Sequence, residues 1–192
     1  SLGAVPKEPN SEVVRILFDG THGVCTNRLI RVRDRARSSL VEDLDGMVRT
    51  LLDEGDAPYC LMVYDFSGAH RLIPVCEADW GLQAFQLEGE PADEGEVILY
   101  CCGAFGIGSA AHWWARVAAA LQRLIHYCVG RFCKLYALLY ADDCLNAIEA
   151  SRCREGFLLL FIIIEVFQLP IAWKKVRGGT SVEWIGYSVR ID

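Results

Sequence analysis

Two adjacent aspartates near the middle of the chain are the clearest candidates for chemistry. Asp142 and Asp143 lie between the apolar, aromatic-rich stretch 134–139 and the stretch 144–148, a pattern that predicts a β-hairpin with both carboxylates at its tip. Two like charges side by side repel each other. A divalent cation takes oxygen ligands, so one cation bound by both carboxylates would offset this repulsion. Considered alone, the pair is more typical of a solvated turn, because Asp bonds its own backbone there.

A third carboxylate, Asp65, ends a separate apolar stretch over residues 60–64, which predicts a buried strand. Neighbouring strands of a sheet lie about 4.8 Å apart, so Asp65 can converge with Asp142 and Asp143 if their strands share one sheet. Three converging carboxylates can hold two divalent ions about 4 Å apart, the arrangement used for in-line phosphoryl displacement. The full set therefore favours metal-dependent phosphoryl transfer over a solvated turn.

Composition predicts a folded chain with an uneven charge distribution. The chain has 192 residues, of which 53% are hydrophobic and 23% charged, so it can build a core and is not a disordered tail. The net charge of −6 is concentrated in residues 41–100, with 14 acidic and 2 basic side chains. An acidic total argues mildly against a free-standing nucleic-acid binder, but the basic ends leave room for phosphate contacts. The chain starts with Ser and stops after a strand-like run, so we expect a fragment of a longer protein.

Cysteine usage indicates an intracellular protein, in the nucleus or the cytoplasm. The nine cysteines form no CxxC pair, and the four histidines complete no zinc spacing, so the thiols are expected to be buried small side chains in a reducing compartment. We expect no signal peptide. The apolar run 157–164 has eight residues, far short of the roughly 20 that a membrane span needs. We therefore expect no membrane partner.

Periodicity predicts an α+β protein. Helices are expected over 40–54, where Ser39 and Glu42 form a capping box, over 109–129, and over 152–167, where Ser151 is the cap. Strands are expected over 13–18, 60–64, 82–87, 96–102, 134–139 and 144–148, followed by a final hairpin of 171–176 and 182–189 with its turn at 177–180.

One alternative is a dinucleotide-binding fold. A strand over 97–101, the GxGxxA form at 106–111, a helix and a second strand ending at Asp142 together outline a Rossmann fingerprint. The alternative leaves Asp143 and Asp65 without a role, and no second set of alternating parallel strands follows.

Five segments in a fixed order resemble the fingers and palm of a retroelement reverse transcriptase. They are 63–75, with Tyr-Asp-Phe-Ser-Gly-Ala-His; 104–110, with Phe-Gly-Ile-Gly-Ser; 140–143, Tyr-Ala-Asp-Asp; 169–175, which ends in two lysines; and 184–187, Trp-Ile-Gly-Tyr. Lys7, Arg15, Asp19 and Asn27 also have the spacing of the family's finger hairpin. The likeness spans nearly the whole chain.

The resemblance implies a fold and an activity. The fold would be a polymerase palm over 38–192, a ferredoxin-like antiparallel sheet backed by helices, with a partial fingers lobe over 1–37 and no thumb. The activity would be RNA-directed DNA polymerisation with two Mg²⁺ ions, for which Mn²⁺ could substitute. The partners would be dNTP, an RNA or DNA template-primer, and the thumb or other domains of a longer polyprotein.

The resemblance also implies residue roles. Asp65 and Asp142 would be the principal metal ligands, Asp143 would assist, and the backbone carbonyl of Phe66 would complete one metal shell. The nucleotide-binding residues would be Lys7, Arg15, Phe66, Ala69, His70, Gly106 and Lys175.

Four positions depart from the family's pattern. His70 stands where the family usually has an aromatic residue that screens the nucleotide sugar, Gly68 replaces a frequent acid, and Ala104 and Ala111 replace frequent prolines. These departures leave a second alternative open, a decayed and inactive remnant that acts as an interaction module.

Overall fold

The computed structural model is an α+β protein. It describes residues 2–6, 12, 14–22, 25–34, 37–55, 58–86 and 96–191. In chain order the elements are β1 (Leu2–Pro6), β2 (Val14–Phe18), α1 (Thr26–Leu29), α2 (Val41–Asp53), β3 (Tyr59–Asp65), β4 (Ala84–Gln86), β5 (Val97–Leu99), α3 (Gly108–Val129), β6 (Leu135–Tyr140), β7 (Asp143–Glu149), α4 (Cys153–Val166), β8 (Arg177–Gly179), β9 (Ser181–Trp184) and β10 (Tyr187–Arg190).

The chain divides into two compact units. The first unit is Ser1–Arg35 with Ala69–Trp114, and the second is Ala36–Gly68 with Ala115–Asp192. Residues 69–114, which the sequence analysis assigned to the palm, therefore group with the N-terminal segment.

The second unit is built on a four-stranded antiparallel sheet. Its strand order is β6-β7-β3-β8, and each of its pairings is antiparallel. Side chains alternate between the two faces of a strand, so Leu61 and Val63 of β3 lie on the same face as Leu145 and Ala147 of β7, which are their register partners. That face carries a buried apolar cluster. Its members are Leu44, Met47, Leu51, Tyr59, Leu61, Val63, Leu145, Ala147, Val182, Trp184, Val189 and Ile191.

The three long helices confirm the predicted spans to within one residue at each end, but two predicted caps are wrong. The Asp43 carboxylate accepts a hydrogen bond from the Leu40 N–H at 2.8 Å. Ser39 instead bonds the edge strand β6, where its hydroxyl accepts from the Leu139 N–H at 3.1 Å. Ser151 donates its hydroxyl to Glu149 at 3.2 Å. Both serines therefore hydrogen-bond residues near the ends of strands β6 and β7 and do not cap a helix.

The C-terminal hairpin lies further along the chain than predicted. The predicted turn contains a strand, β8, which pairs with β3, and the actual hairpin is β9–β10, with its turn at Ile185-Gly186. Both turn residues have positive φ, 43° and 84°, as short hairpin turns require. Since Ile rarely adopts positive φ, its presence gave no turn signal.

Two short antiparallel hairpins and a glycine-containing loop make up much of the described first unit. Strand β1 pairs with β2, and β4 pairs with β5. The predicted strands 82–87 and 96–102 are thus present but shorter. The Phe18 N–H at the end of β2 donates to the Phe105 carbonyl at 2.9 Å, which ties the first hairpin to the loop before α3.

Candidate functional site

Two of the predicted catalytic carboxylates lie directly opposite each other. Strands β3 and β7 pair in a register that places Asp65 opposite Asp143, so both side chains leave the same face of the sheet. The Phe66 N–H donates to the Asp142 carbonyl at 3.2 Å, which fixes the hairpin tip against the end of β3. The hairpin turn has two residues, and Ala141 has φ 53°, a strained value for alanine.

The buried carboxylate of Asp65 has one satisfied and one unsatisfied oxygen. Asp65 is 5% exposed. Its Oδ2 accepts a hydrogen bond from the Lys175 ammonium, whereas Oδ1 is buried without a hydrogen-bond partner among the described residues. The Ala172 N–H donates to the Asp65 carbonyl at 2.9 Å, so the segment after α4 holds Lys175 beside β3. A buried acceptor without a partner is costly, and it marks the position where a further cation or donor would be stabilised.

The carboxylates perturb one another. Burial and the neighbouring Asp65 charge raise the pKa of Asp142 to about 6. Burial and the same charge raise the pKa of Asp143, although Lys175 opposes the shift. The hydrogen bond to Asp65 raises the pKa of Lys175, so this side chain stays cationic. One ammonium accompanies three carboxylates, and the cluster retains excess negative charge that a divalent cation would relieve.

The donor chemistry fits a divalent metal, but the described side chains do not form a finished cage. Carboxylate oxygens are the ligands that Mg²⁺ and Mn²⁺ take, and the free Oδ1 of Asp65 is one such oxygen. Within the described ranges, however, no group of three or more His, Cys, Asp or Glu side chains is arranged to hold a metal ion. Metal binding would therefore require the carboxylates to rearrange, with Lys175 moving away from Asp65.

The predicted nucleotide-binding residues fall in both units. Phe66 lies in the second unit, where it bridges Ile171 and is 1% exposed. Ala69, His70, Gly106 and Arg15 lie in the first unit. Lys175 also lies in the second unit. Lys7 lies outside the described residues, and of Arg15 only the backbone is described, in β2 opposite Val5.

His70 is a half-buried histidine in a short 3₁₀ turn, Ala69–Leu72. Its ring meets Phe105 edge-on, with centroids 4.7 Å apart, and its buried Nδ1 has no hydrogen-bond partner among the described residues. Burial lowers the pKa of His70, so the ring is neutral at physiological pH. The neutral ring packs edge-on against Phe105 as an aromatic side chain would, but it keeps a polar Nδ1 that an aromatic side chain lacks.

The backbone conformation at position 106 requires glycine. Its φ is 94°, and a Cβ placed there would lie 1.8 Å from the Phe18 carbonyl oxygen. Asn27 fixes the same loop, since its Nδ2 donates to the Gly106 carbonyl at 2.7 Å and its Oδ1 accepts from the Gly108 N–H at 2.9 Å. In the sequence, Asn27 is recognisable only by its spacing from Lys7, Arg15 and Asp19, because nothing local to it shows that it bonds a loop 79 residues away.

A second feature that the sequence analysis missed is a buried polar group on the opposite face of β7. Asn146 is 0% exposed, and its side-chain nitrogen and oxygen have no partners among the described residues, nor does the Tyr64 hydroxyl. Gln122 donates to Cys144 Sγ at 3.6 Å. The available signal was one polar residue within the apolar stretch 144–148, because such a residue is seldom buried without a role.

A basic groove lies beside the β6–β7 hairpin in the second unit. Its volume is about 530 Å³, and no acidic residue is among the described residues that line it. Arg37, Arg116 and Arg123 line it, together with Ala141, the neighbour of Asp142 in the hairpin turn. Arg116 and Arg123 are seven residues apart on α3, so they lie on one face about two turns from each other. The groove suits an anionic ligand.

Comparison with known proteins assigns no family, since no family model matches the chain and no curated protein matches it significantly.

Among the described helices, none is long and apolar enough to cross a membrane. The βαβ unit that the dinucleotide-binding alternative requires is not formed by residues 97–142, because β5 and β6 lie in separate antiparallel sheets.

Proposed function

We propose that this chain is the catalytic core of an RNA-directed DNA polymerase, with a palm that corresponds to the second unit and a partial fingers lobe. The observation that carries the proposal is the placement of Asp65 opposite Asp143 at adjacent strand ends, with Asp142 raised to a pKa of about 6 by burial and by Asp65. Folding alone gives no reason to gather three carboxylates.

In the proposed reaction the carboxylates would hold the metal. Asp65 and Asp142 would be the principal ligands of Mg²⁺ or Mn²⁺, and Asp143 would assist. When bound, the two ions would lower the pKa of the primer 3′-hydroxyl and neutralise the leaving pyrophosphate. Lys175, which is cationic and exposed beside Asp65, would balance phosphate charge once it leaves that carboxylate.

The basic groove supports a nucleic-acid partner. A template or primer strand requires cations along its phosphate backbone, and Arg116 and Arg123 line the groove beside the hairpin in a protein whose net charge is −6. Arg37 also lines the groove, but its guanidinium is paired with the Asp43 carboxylate at 3.1 Å. The roles of Lys7, Arg15, Ala69, His70 and Gly106 toward dNTP stay predictions.

Primer extension on an RNA template tests the proposal. Asp142→Asn should lower Mg²⁺-dependent extension by about a hundredfold or more, because the variant lacks a metal ligand that would help to stabilise charge in the transition state. Asp53→Asn, which removes an exposed carboxylate of α2, is the matched control and should extend primers normally. Absence of Mg²⁺-dependent extension by the wild-type chain, even with a thumb segment supplied, would rule out the enzyme.

The alternative of a folded, inactive remnant also has an observation in its favour. The Lys175 ammonium already neutralises Asp65, and the described residues contain no finished metal group. A Mn²⁺ titration separates the two possibilities: an enzyme binds Mn²⁺ and loses it in Asp142→Asn, whereas a remnant binds none.

A further inference from the structure

A cavity in the first unit has the size and lining of a small-molecule site. Its volume is about 320 Å³, within the range of ligand pockets. The walls are mostly apolar, with contributions from Ile73, Val75, Ile107 and Trp113. Trp113 is 54% exposed, so part of its indole surface is available to a ligand.

Gln83 places a buried amide of fixed orientation in the wall of this cavity. It lines the cavity and is 3% exposed. Its Nε2 donates to the Tyr100 carbonyl at 3.3 Å. Because a carbonyl can only accept, this bond fixes the orientation of the amide. The opposite atom, Oε1, is buried and has no hydrogen-bond partner among the described residues. A ligand that donates a hydrogen bond to Oε1 would remove this cost.

The charge of the cavity is negative. Asp79 lines it, whereas no Lys, Arg or His does so among the described residues. The Asp79 carboxylate makes no hydrogen bond or ion pair with the described part of the chain. Ser109 adds a hydroxyl, which can accept as well as donate. The polar groups of the cavity are therefore matched by a ligand with several N–H donors and a positive charge.

We propose that this cavity binds a small planar cation with N–H donors, of the amidine or guanidine type, between Asp79, Gln83 and Trp113. The carboxylate of Asp79 accepts a charge-assisted hydrogen bond, Gln83 Oε1 accepts a second, and the indole ring covers the flat face of the cation. The proposal does not depend on polymerase activity, because the cavity residues lie in the first unit and the three carboxylates in the second.

The test uses the full chain and two probes of equal shape and opposite charge, benzamidinium and benzoate. Isothermal titration should give benzamidinium a dissociation constant below about 1 mM and show no binding of benzoate. Amide chemical-shift changes should be confined to residues 73–83 and 103–113. Asp79→Asn should weaken benzamidinium about tenfold, because a neutral amide replaces the anionic acceptor. Asp53→Asn, an equal loss of exposed charge, should leave the affinity unchanged.

Three results would overturn the proposal: benzoate binding as well as benzamidinium, shift changes in other segments, or equal affinities for the Asp79→Asn and Asp53→Asn variants. Gln83→Leu should also weaken binding if it folds, as judged by circular dichroism. If it does not fold, the contrast between the two probes on the wild-type chain still decides whether the cavity binds a cation or holds only water.

Discussion

At the residue scale, the ion pair between Lys175 and Asp65 joins an exposed ammonium to a buried carboxylate. The side-chain exposures are 65% and 8%. The two partners are 110 residues apart in sequence, so their contact depends on the fold. The resemblance to reverse transcriptases predicted a lysine near the leaving pyrophosphate, but it did not predict that this lysine bonds the Asp65 carboxylate.

Removing Lys175 tests how much this pair contributes to stability. Lys175→Met leaves Asp65 buried with both oxygens unpartnered, so the free energy of unfolding at pH 7 should fall by about 1–2 kcal/mol. Urea denaturation measures the change. Lys174→Met is the matched control, because the Lys174 side chain makes no hydrogen bond or ion pair with described residues. Equal midpoints for the two variants would show that the pair contributes nothing.

At the scale of elements, Glu54 connects the end of α2 to two strands of the sheet. Its carboxylate accepts hydrogen bonds from the Tyr59 hydroxyl, the Tyr136 hydroxyl at 2.6 Å and the Lys134 ammonium at 3.0 Å. These bonds, that of Tyr136 first, lower the pKa of Glu54 from 4.5 to about 2. The stability that Glu54 adds by joining the end of α2 to the sheet therefore depends on pH.

The sign of this pH dependence follows from the lowered pKa of Glu54. A group whose pKa is lower in the folded protein adds stability above its unfolded pKa, and that stability is lost as pH falls through the folded value. The Glu54 contribution should be complete above pH 4.5 and disappear by about pH 2. Glu54→Gln should thus be less stable than wild type at pH 6, with a difference that shrinks between pH 4.5 and 2 in urea titrations.

Glu42→Gln serves as the control for Glu54→Gln. Glu42 lies in the first turn of the same helix, and its side chain bonds no described residue. A constant difference in stability between Glu54→Gln and wild type across this pH range would contradict the assignment.

The elements also show what local sequence can predict. Helix α2 was predictable because Leu44, Met47 and Leu51 recur at helical spacing and are buried on one face. The short strand β8 was not, because Gly178 and Gly179 indicate a turn in isolation and become a strand only by pairing with Met62 and Leu61. Pairing partners distant in sequence leave no local signal.

At the scale of the whole molecule, the sequence predicted that Asp65 would lie on a strand beside the aspartate hairpin, but not the register that places it opposite Asp143. Adjacent strands were expected from two apolar stretches that end in Asp, whereas the pairing of Asp65 with Asp143 is set by seven consecutive register partners along β3 and β7. The division into two units was also beyond prediction. Residues 69–114 follow Asp65 directly in the sequence, but their contacts group them with the N-terminal hairpin.

This division predicts that a defect at Gly106 is confined to one unit. In Gly106→Ala the new Cβ would lie 1.8 Å from the Phe18 carbonyl oxygen, a backbone atom that can move only if the strand moves, and φ of 94° adds strain. We expect a loss of about 2 kcal/mol or more. Hydrogen exchange should accelerate at the Phe18 and Gly108 amides, which bond within this loop.

The amides of β3 and β7 belong to the other unit and should keep their protection in Gly106→Ala. Gly46→Ala is the control, because its Cβ meets nothing within 4 Å and alanine in a helix stabilises by about 1 kcal/mol relative to glycine. If Gly106→Ala accelerates exchange equally at Phe18 and along β3, the two units unfold together. The carboxylate cluster would then depend on the Gly106 loop for its stability.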